Sequence, residues 1–190
     1  MYALRASLHA VSRDDKKAVK VLDEGLSHFA TDENLRFQRA VILDRLGDWE
    51  KSKLDLQLII QTNPKSDRAL NYLGYTMADR GDNLEEALKF VEQASDLNPA
   101  DGHITDSVGW VYFKMGKIDK AINILNKALR QESDEPTILE HLGDVYLAIK
   151  NKKLSRQYYE RSLNILQKIP LRMPDEDKQI QNLKDKLATF

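Results

Sequence analysis

The chain has 190 residues, with 29 Lys and Arg against 30 Asp and Glu, which leaves one net negative charge. Proteins that bind nucleic acid usually carry a cationic surplus for their phosphate contacts, so this balance argues against DNA or RNA as a partner. The absence of cysteine excludes disulfides, thiolate metal sites and a cysteine nucleophile.

Helices are expected throughout the chain. Glycine and proline number only 8 and 5, and Ala, Leu, Lys and Glu, which favour helices, are abundant. The longest apolar runs, such as 58–60, are far shorter than the ~20 residues that cross a bilayer. We therefore expect no direct membrane insertion of this segment, and its first residues lack the pattern of a secretion signal.

A period of 34 or 35 residues organises the chain, since Leu73-Gly74 recurs as Val108-Gly109 and as Leu142-Gly143. A fixed period of this length indicates a stack of similar units. Small residues mark the eighth position of each unit: Ala6, Ala40, Gly74, Gly109 and Gly143. The predicted repeats are residues 1–32, 33–66, 67–101, 102–135 and 136–169, with residues 170–190 left over.

Each repeat is predicted to contain two helices. In the fourth repeat, the apolar and small residues at 108, 109 and 112 share one helical face, and those at 121, 125 and 128 share another. The small eighth residue removes bulk where the two helices cross closely. First helices are expected to end in a left-handed residue at Gly47, Gly81, Gly116 and Asn151. Carboxylates near the starts of second helices are Asp48, Asp82 and Asp119.

The two ends of the array differ in sequence. After Pro170 and Pro174, the residues Ile180, Leu183 and Leu187 recur at helical spacing among charged residues, which predicts a capping helix. The amino end shows no comparable segment. We therefore expect the chain to be the carboxyl-terminal part of a longer array, with an uncapped amino-terminal end that could stack on a second copy.

These features resemble the tetratricopeptide repeat family over residues 1–169. The third repeat carries its motif as Leu70, Leu73, Gly74, Met77, Ala87, Val91, Ala94 and Pro99. The fifth carries it as Leu139, Leu142, Gly143, Tyr146, Ser155, Tyr159 and Ser162. The second departs from it with Arg36 and Arg39 at apolar positions. The resemblance implies an all-α fold, an α-solenoid of about five helix-turn-helix repeats forming a right-handed superhelix with a carboxyl-terminal capping helix.

A finer resemblance covers about two repeats. The runs 71–80 and 106–111 are similar to the carboxyl-terminal repeats of bacterial multi-repeat proteins and lipoproteins, which include adaptors of periplasmic processing proteases. This similarity implies a bacterial protein of the cytoplasm or periplasm. It leaves the compartment and the length of the parent protein open.

The concave groove is the candidate site, because in this family positions 2, 5, 9, 12 and 13 of each repeat project into it. Aromatic residues at such positions, flanked by polar groups, are typical of peptide-binding hot spots. For Trp110 and Phe113 the alternative is sideways packing onto the next repeat. The predicted partner-binding residues are Phe37, Val41, Asn71, Tyr75, His103, Asp106, Trp110, Phe113, Glu140 and Asp144.

Other chemistry is not expected. The four histidines form no cluster, and the pairs His103–Asp106 and His141–Asp144 supply only two ligands each, whereas a bound metal needs three or four. No nucleophile turn, zinc-binding helix motif or phosphate loop is recognisable. We therefore predict a protein that is not an enzyme and that has no catalytic residues, metal or cofactor.

Three functions are compatible with the sequence. The first is a scaffold whose groove binds a peptide or helix of a partner protein. The second is an envelope adaptor that delivers substrates to a periplasmic processing protease. The third is a self-associating array, in which the uncapped amino-terminal end forms a homo-oligomer.

Overall fold

The computed structural model describes residues 1–190 and contains eleven α-helices and no β-strand. Helices account for 78% of the residues, and the all-α repeat fold is confirmed. The helices are α1 (Tyr2–Val11), α2 (Asp15–His28), α3 (Glu33–Arg45), α4 (Trp49–Thr62), α5 (Asp67–Arg80), α6 (Leu84–Leu97), α7 (Gly102–Lys114), α8 (Ile118–Gln131), α9 (Pro136–Ala148), α10 (Lys152–Gln167) and α11 (Pro174–Leu187). None of them combines the length and the apolar character needed to span a membrane.

The chain divides into two compact units. The amino-terminal unit is Met1–Leu73 and the carboxyl-terminal unit is Gly74–Phe190, so the division falls within α5. In the carboxyl-terminal unit each helix from α6 to α10 packs on the helix that follows it, so that the last of these contacts joins α10 to α11. The repeat boundaries given above remain predictions from the sequence.

Close helix crossings hold the carboxyl-terminal unit together. A Cβ added to Gly109 would lie 2.7 Å from Cγ of Leu125, and one added to Gly143 would lie 2.3 Å from the ring of Tyr159. Both distances are shorter than van der Waals contact, so only glycine fits at these two crossings. The predicted role of the small eighth residue is confirmed in the fourth and fifth repeats.

The turns between paired helices follow the prediction in three repeats and differ in the fifth. Gly47, Gly81 and Gly116 have φ of 85°, 72° and 74°. In the fifth repeat, however, Asn151 has φ −81° and caps α10 by accepting a hydrogen bond from the Leu154 amide. The left-handed residue is Lys150, with φ 61°, which follows Gly116 by one 34-residue period.

At the start of α6, the predicted carboxylate Asp82 lies directly before the N-cap residue. Asn83, not Asp82, is the N-cap residue, and its side chain accepts a hydrogen bond from the Glu86 amide at 3.3 Å. Asp119 lies inside the first turn of α8, behind the N-cap Lys117. Asp48 is the N-cap residue of α4. The three carboxylates therefore lie at or next to the starts of second helices, as predicted.

A buried ionic network replaces apolar contacts in the amino-terminal unit. Asp55 of α4 is 5% exposed and accepts hydrogen bonds from Arg36 at 3.1 Å and from Arg39 at 2.8 and 2.7 Å. Arg39 also reaches Asp23 of α2 at 2.7 Å. These contacts explain why the second repeat carries two arginines at apolar positions of the motif, since Asp55 supplies their counter-charge.

The strained turn at Lys150 gives a test of this geometry. A residue with a side chain in the left-handed conformation costs about 1 to 2 kcal/mol, which glycine avoids, so Lys150→Gly should stabilise the fold by about 1 kcal/mol. Urea unfolding followed by circular dichroism measures the change. The matched variant Lys153→Gly removes the same side chain within α10 and should destabilise instead, by up to about 1 kcal/mol. Destabilisation by both variants would contradict the assignment.

Candidate functional site

The carboxyl-terminal unit contains a cavity of about 680 Å³. Its walls come from α5, α7 and α9, the first helices of three successive pairs, and from α11. First helices line the cavity because their groove positions, which are three or four residues apart, lie on one helical face. The lining residues are Tyr75, Asp79, Trp110, Thr137, Glu140, His141, Asp144, Asp175, Lys178, Gln179, Gln181, Asn182, Asp185 and Lys186.

Four of the predicted groove residues line this cavity. Tyr75, Trp110 and Asp144 occupy the ninth position of their repeats, and Glu140 occupies the fifth. Asp106, also predicted, is buried behind the wall. Two others do not line the cavity: Phe113 lies beside Trp110, with ring centroids 5.2 Å apart, and His103 is exposed at the start of α7. The structure therefore brings together part of the predicted set.

The remaining predicted residues belong to the amino-terminal unit. Phe37 meets the ring of Tyr72 edge-on at 5.6 Å, and the guanidinium of Arg68 lies 4.0 Å from the Phe37 ring centroid. Val41 and Asn71 are partly buried, and Oδ1 of Asn71 is buried without a hydrogen-bond partner. Phe37 is thus already engaged by neighbouring side chains.

A hydrogen-bonded relay joins three helices behind the cavity wall. His141 of α9 places Nδ1 2.8 and 3.0 Å from the carboxylate oxygens of Asp106 on α7, so Nδ1–H donates to Asp106. Its Nε2 lies 3.4 Å from the hydroxyl of Tyr75 on α5. The sequence places His141 with Asp144, and His103 with Asp106, on shared helix faces. The observed hydrogen bond instead joins His141 to Asp106 of the neighbouring first helix, and both residues are buried.

The electrostatics of this relay favour a charged histidine. Burial disfavours the charged form of His141 and is the strongest single influence, yet the carboxylates of Asp106, Asp144 and Glu140 together outweigh it and raise the pKa of His141 above 6.5. Burial, followed by nearby carboxylates, also raises the pKa of Tyr75 far above its usual value. The phenol therefore stays protonated.

Trp110 packs sideways onto the next repeat, which is the alternative left open by the sequence. Its ring stacks on His141 with centroids 4.0 Å apart and an interplanar angle of 17°, and only 7% of the residue is exposed. The indole Nε1 is buried without a hydrogen-bond partner. Trp110 is therefore part of the core that shapes the cavity wall, so it cannot act as a freely projecting anchor.

Residues of α11 bind the two acidic groove residues of α9. Glu140 accepts hydrogen bonds from Gln179 at 2.8 Å, Asn182 at 2.6 Å and Lys186 at 2.8 Å. Asp144 accepts from Lys186 at 2.7 and 2.9 Å. Burial opposes the charge on Lys186, but Asp144 and Glu140 outweigh it and raise the pKa of Lys186, so the ammonium is retained.

His141 and the three donors on α11 were not predicted from the sequence as cavity residues. For the donors a signal was present: Gln179, Asn182 and Lys186 each precede one of the apolar residues Ile180, Leu183 and Leu187. The three polar residues therefore have the same helical spacing as the three apolar residues and lie together on the adjacent face of α11. His141 had no comparable signal, because its partners lie 35 and 66 residues away.

Comparison with known proteins identifies the repeat type. The family description "TPR repeat" matches residues 109–149, and "Tetratricopeptide repeat" matches residues 35–66 and 136–165. A TPR repeat-containing protein of Pseudomonas aeruginosa is 33% identical over 144 residues, which is 76% of this chain and 24% of the relative. The chain thus spans about a quarter of that relative's length.

Solved structures share the architecture. A thermophilic TPR protein of Thermus thermophilus superposes with a TM-score of 0.80 at 20% identity, over 99% of this chain and 96% of its own. The pilF protein of Pseudomonas aeruginosa gives a TM-score of 0.71 at 17% identity, over 99% and 89%. At these identities the structural similarity concerns the fold alone.

The raised pKa of His141 predicts a pH dependence of stability. Protonation of His141 is more favourable in the folded chain than in the unfolded chain, whose histidines titrate near 6.5. The stabilisation is therefore complete below pH 6.5 and is lost as the pH rises through the higher folded value. The free energy of unfolding, measured in urea at a series of pH values below about 10, where tyrosine and lysine titrate, should fall over this range.

Two histidine variants separate this effect from the general charge balance. His141→Gln should flatten the decline, because the titrating group is removed. His103→Gln changes an exposed histidine and should leave the decline as in the wild type. The assignment is contradicted by a decline that persists unchanged in His141→Gln.

Proposed function

Because this chain belongs to the tetratricopeptide repeat family, whose members are generally protein-interaction scaffolds, we propose that it binds a peptide or helix of a partner protein. The proposed site is the cavity of the carboxyl-terminal unit, and the proposed role is non-catalytic. The supporting observation is that the cavity is lined by inner positions of three successive first helices. Such a surface offers repeated contacts along one extended ligand.

The charge of the cavity indicates the chemistry of the partner. Five carboxylates line it, those of Asp79, Glu140, Asp144, Asp175 and Asp185, against only two lysines, Lys178 and Lys186. A basic segment would be attracted to this surface and an acidic one repelled. The partly buried ring of Tyr75 supplies an apolar contact beside the carboxylates. We therefore propose a partner segment with basic residues and at least one apolar anchor.

The buried relay supports a positioning role better than catalysis. A carboxylate, a histidine and a hydroxyl in series can activate a nucleophile when the neutral histidine accepts the hydroxyl proton, but nearby carboxylates favour the charged form of His141, which has no free nitrogen to accept it. Here burial and several carboxylates raise the pKa of Tyr75, which opposes that step. Asp106 and His141 instead tie α7 to α9 and hold Trp110 in the cavity wall.

The adaptor role remains a narrower prediction within this proposal. An adaptor for a processing protease would use the same cavity, or the amino-terminal unit, to hold the protease or its substrate. The family assignment is compatible with such a role, and the identity of the partner would distinguish it from a passive scaffold.

Peptide titration tests the proposed site directly. The chain contains two tryptophans, so a Trp49→Phe background leaves Trp110 emission as a report from the cavity. A short peptide alternating Lys and Leu should change that emission, and a Glu–Leu counterpart should not. Asp79→Lys, which reverses an exposed charge in the cavity, should weaken binding about tenfold at low salt.

The matched control is Asp96→Lys. Asp96 is exposed on α6 and does not line the cavity, so this variant changes the net charge equally without changing the site. Its affinity for the Lys–Leu peptide should remain near that of the Trp49→Phe protein. Equal weakening by both substitutions would show non-specific attraction and would count against the cavity.

Self-association is a second candidate function, favoured by one observation. Leu4, Leu8 and Val11 lie on one face of α1 and are 67%, 61% and 50% exposed. Their spacing of four and three residues forms a continuous apolar stripe. We propose that two copies associate through this stripe, because matching apolar faces on identical chains are self-complementary.

The oligomeric state tests this second proposal. Light scattering over a series of protein concentrations should show a mass that rises from one chain toward two. Leu8→Glu places a charge in the middle of the exposed stripe and should hold the protein as a monomer, while Glu24→Gln on α2 should leave the association intact. A constant monomer mass for the wild-type chain would rule self-association out.

A further inference from the structure

The inner carboxylates of α9 are bound by a helix of the same chain, and the bonding pattern is specific. Gln179, Asn182 and Lys186 lie on one face of α11, at spacings of three and four residues. All three donate to Glu140, and Lys186 also donates to Asp144. A single helix face thus presents two amides and one ammonium to two carboxylates.

The carboxylate at the fifth position of the preceding repeat has a different partner. Asp106, at the fifth position like Glu140, is paired with His141 of the following first helix. The helix that comes after α10 is α11, and it supplies the donors to Glu140 instead. Glu140 is therefore bound by α11, which lines the cavity, and Asp144 is bound by Lys186 of α11 and by the Tyr159 hydroxyl of α10.

The attachment of α11 is modest apart from these polar contacts. Ile180 and Leu183 are buried on it against Tyr159 and Leu166 of α10, and Leu187 and the terminal Phe190 add partly buried apolar contacts. The preceding segment carries Leu171, which is 82% exposed. Few buried apolar contacts mean that local detachment of this helix costs much less than global unfolding.

The ion pairs of Lys186 also allow α11 to be exchanged for a helix of another protein. Lys186 keeps 23% of its side chain exposed, and the side chains of Glu140 and Asp144 keep 10% and 18%. Partly buried ion pairs add specificity while their net contribution to stability stays small, because desolvation offsets much of the attraction. A helix from another protein with the same donors would restore the same bonds.

We propose that Glu140 and Asp144 form a recognition site for a lysine carried on a partner helix, and that α11 occupies this site as an internal surrogate which the partner helix displaces. This inference rests on the proposed function, since it assigns one end of the same cavity. The partner helix has an amide side chain four residues before the lysine and another seven residues before it, beside an apolar row like that of Ile180 and Leu183.

A labelled peptide comprising residues 174–190 is the probe. In the wild-type chain it competes with the tethered α11, whose effective concentration is about millimolar, so binding should be weak. Lys186→Ala in the full-length chain removes the surrogate ammonium. The peptide, which retains its lysine, should bind that variant about tenfold more tightly, as measured by fluorescence anisotropy.

Control variants and a control peptide make the result specific. Lys184→Ala removes an exposed lysine from the same helix and should bind the peptide as weakly as the wild type. A K186E peptide should bind none of the chains. Glu140→Gln combined with Lys186→Ala should cancel the gain in peptide affinity, and so should Asp144→Asn combined with Lys186→Ala. Thermal unfolding of each double variant checks that it folds.

The outcomes separate this inference from the proposed function. Equal affinity of the wild type and Lys186→Ala for the peptide would overturn the inference, as would equal binding of the native and K186E peptides to Lys186→Ala. If the inference fails while the Lys–Leu peptide still depends on Asp79, the cavity remains a binding site and only the surrogate role is lost. If the binding of the Lys–Leu peptide does not depend on Asp79 either, both the surrogate role of α11 and the proposed binding site are contradicted.

Discussion

The close crossing of paired helices is the constraint on which the rest of the structure depends. At Gly109 and Gly143 the opposing side chain approaches so closely that a methyl group would not fit. This approach lets Leu125, Ala128, Ile138 and Leu142 form one cluster between neighbouring pairs. The inner faces of α5, α7 and α9 are brought side by side in consequence, and the cavity of the carboxyl-terminal unit lies along them.

The fold could be predicted from the sequence because its cause is periodic. Small residues return every 34 or 35 positions, and Gly47, Gly81 and Gly116 end three helices as expected. The exception at Lys150 was not predictable from local preference, since lysine rarely adopts a left-handed conformation. Only alignment with the repeat period shows that the turn must fall there, and packing of the flanking helices overrides the local cost.

The site was predictable only in part. The repeat positions grouped Tyr75, Trp110, Glu140 and Asp144, which line one cavity, because helical geometry fixes which residues share a face. The pairing of each side chain was not predictable, since it depends on neighbours distant in sequence. The ring of Trp110 stacks on His141, and Glu140 accepts hydrogen bonds from Gln179, Asn182 and Lys186. Neither the spacing of these residues nor the composition of the chain specifies these contacts.

The arginine network of the amino-terminal unit bears on how the array assembles. Repeats of similar shape can stack in the wrong order, because their apolar interfaces are nearly interchangeable. If a second helix of another repeat took the place of α4 beside α3, Arg36 and Arg39 would lose the carboxylate of Asp55. Uncompensated burial of charge is far more costly than a poor apolar fit. This network therefore gives the second repeat pairing fidelity that its apolar residues alone could not supply.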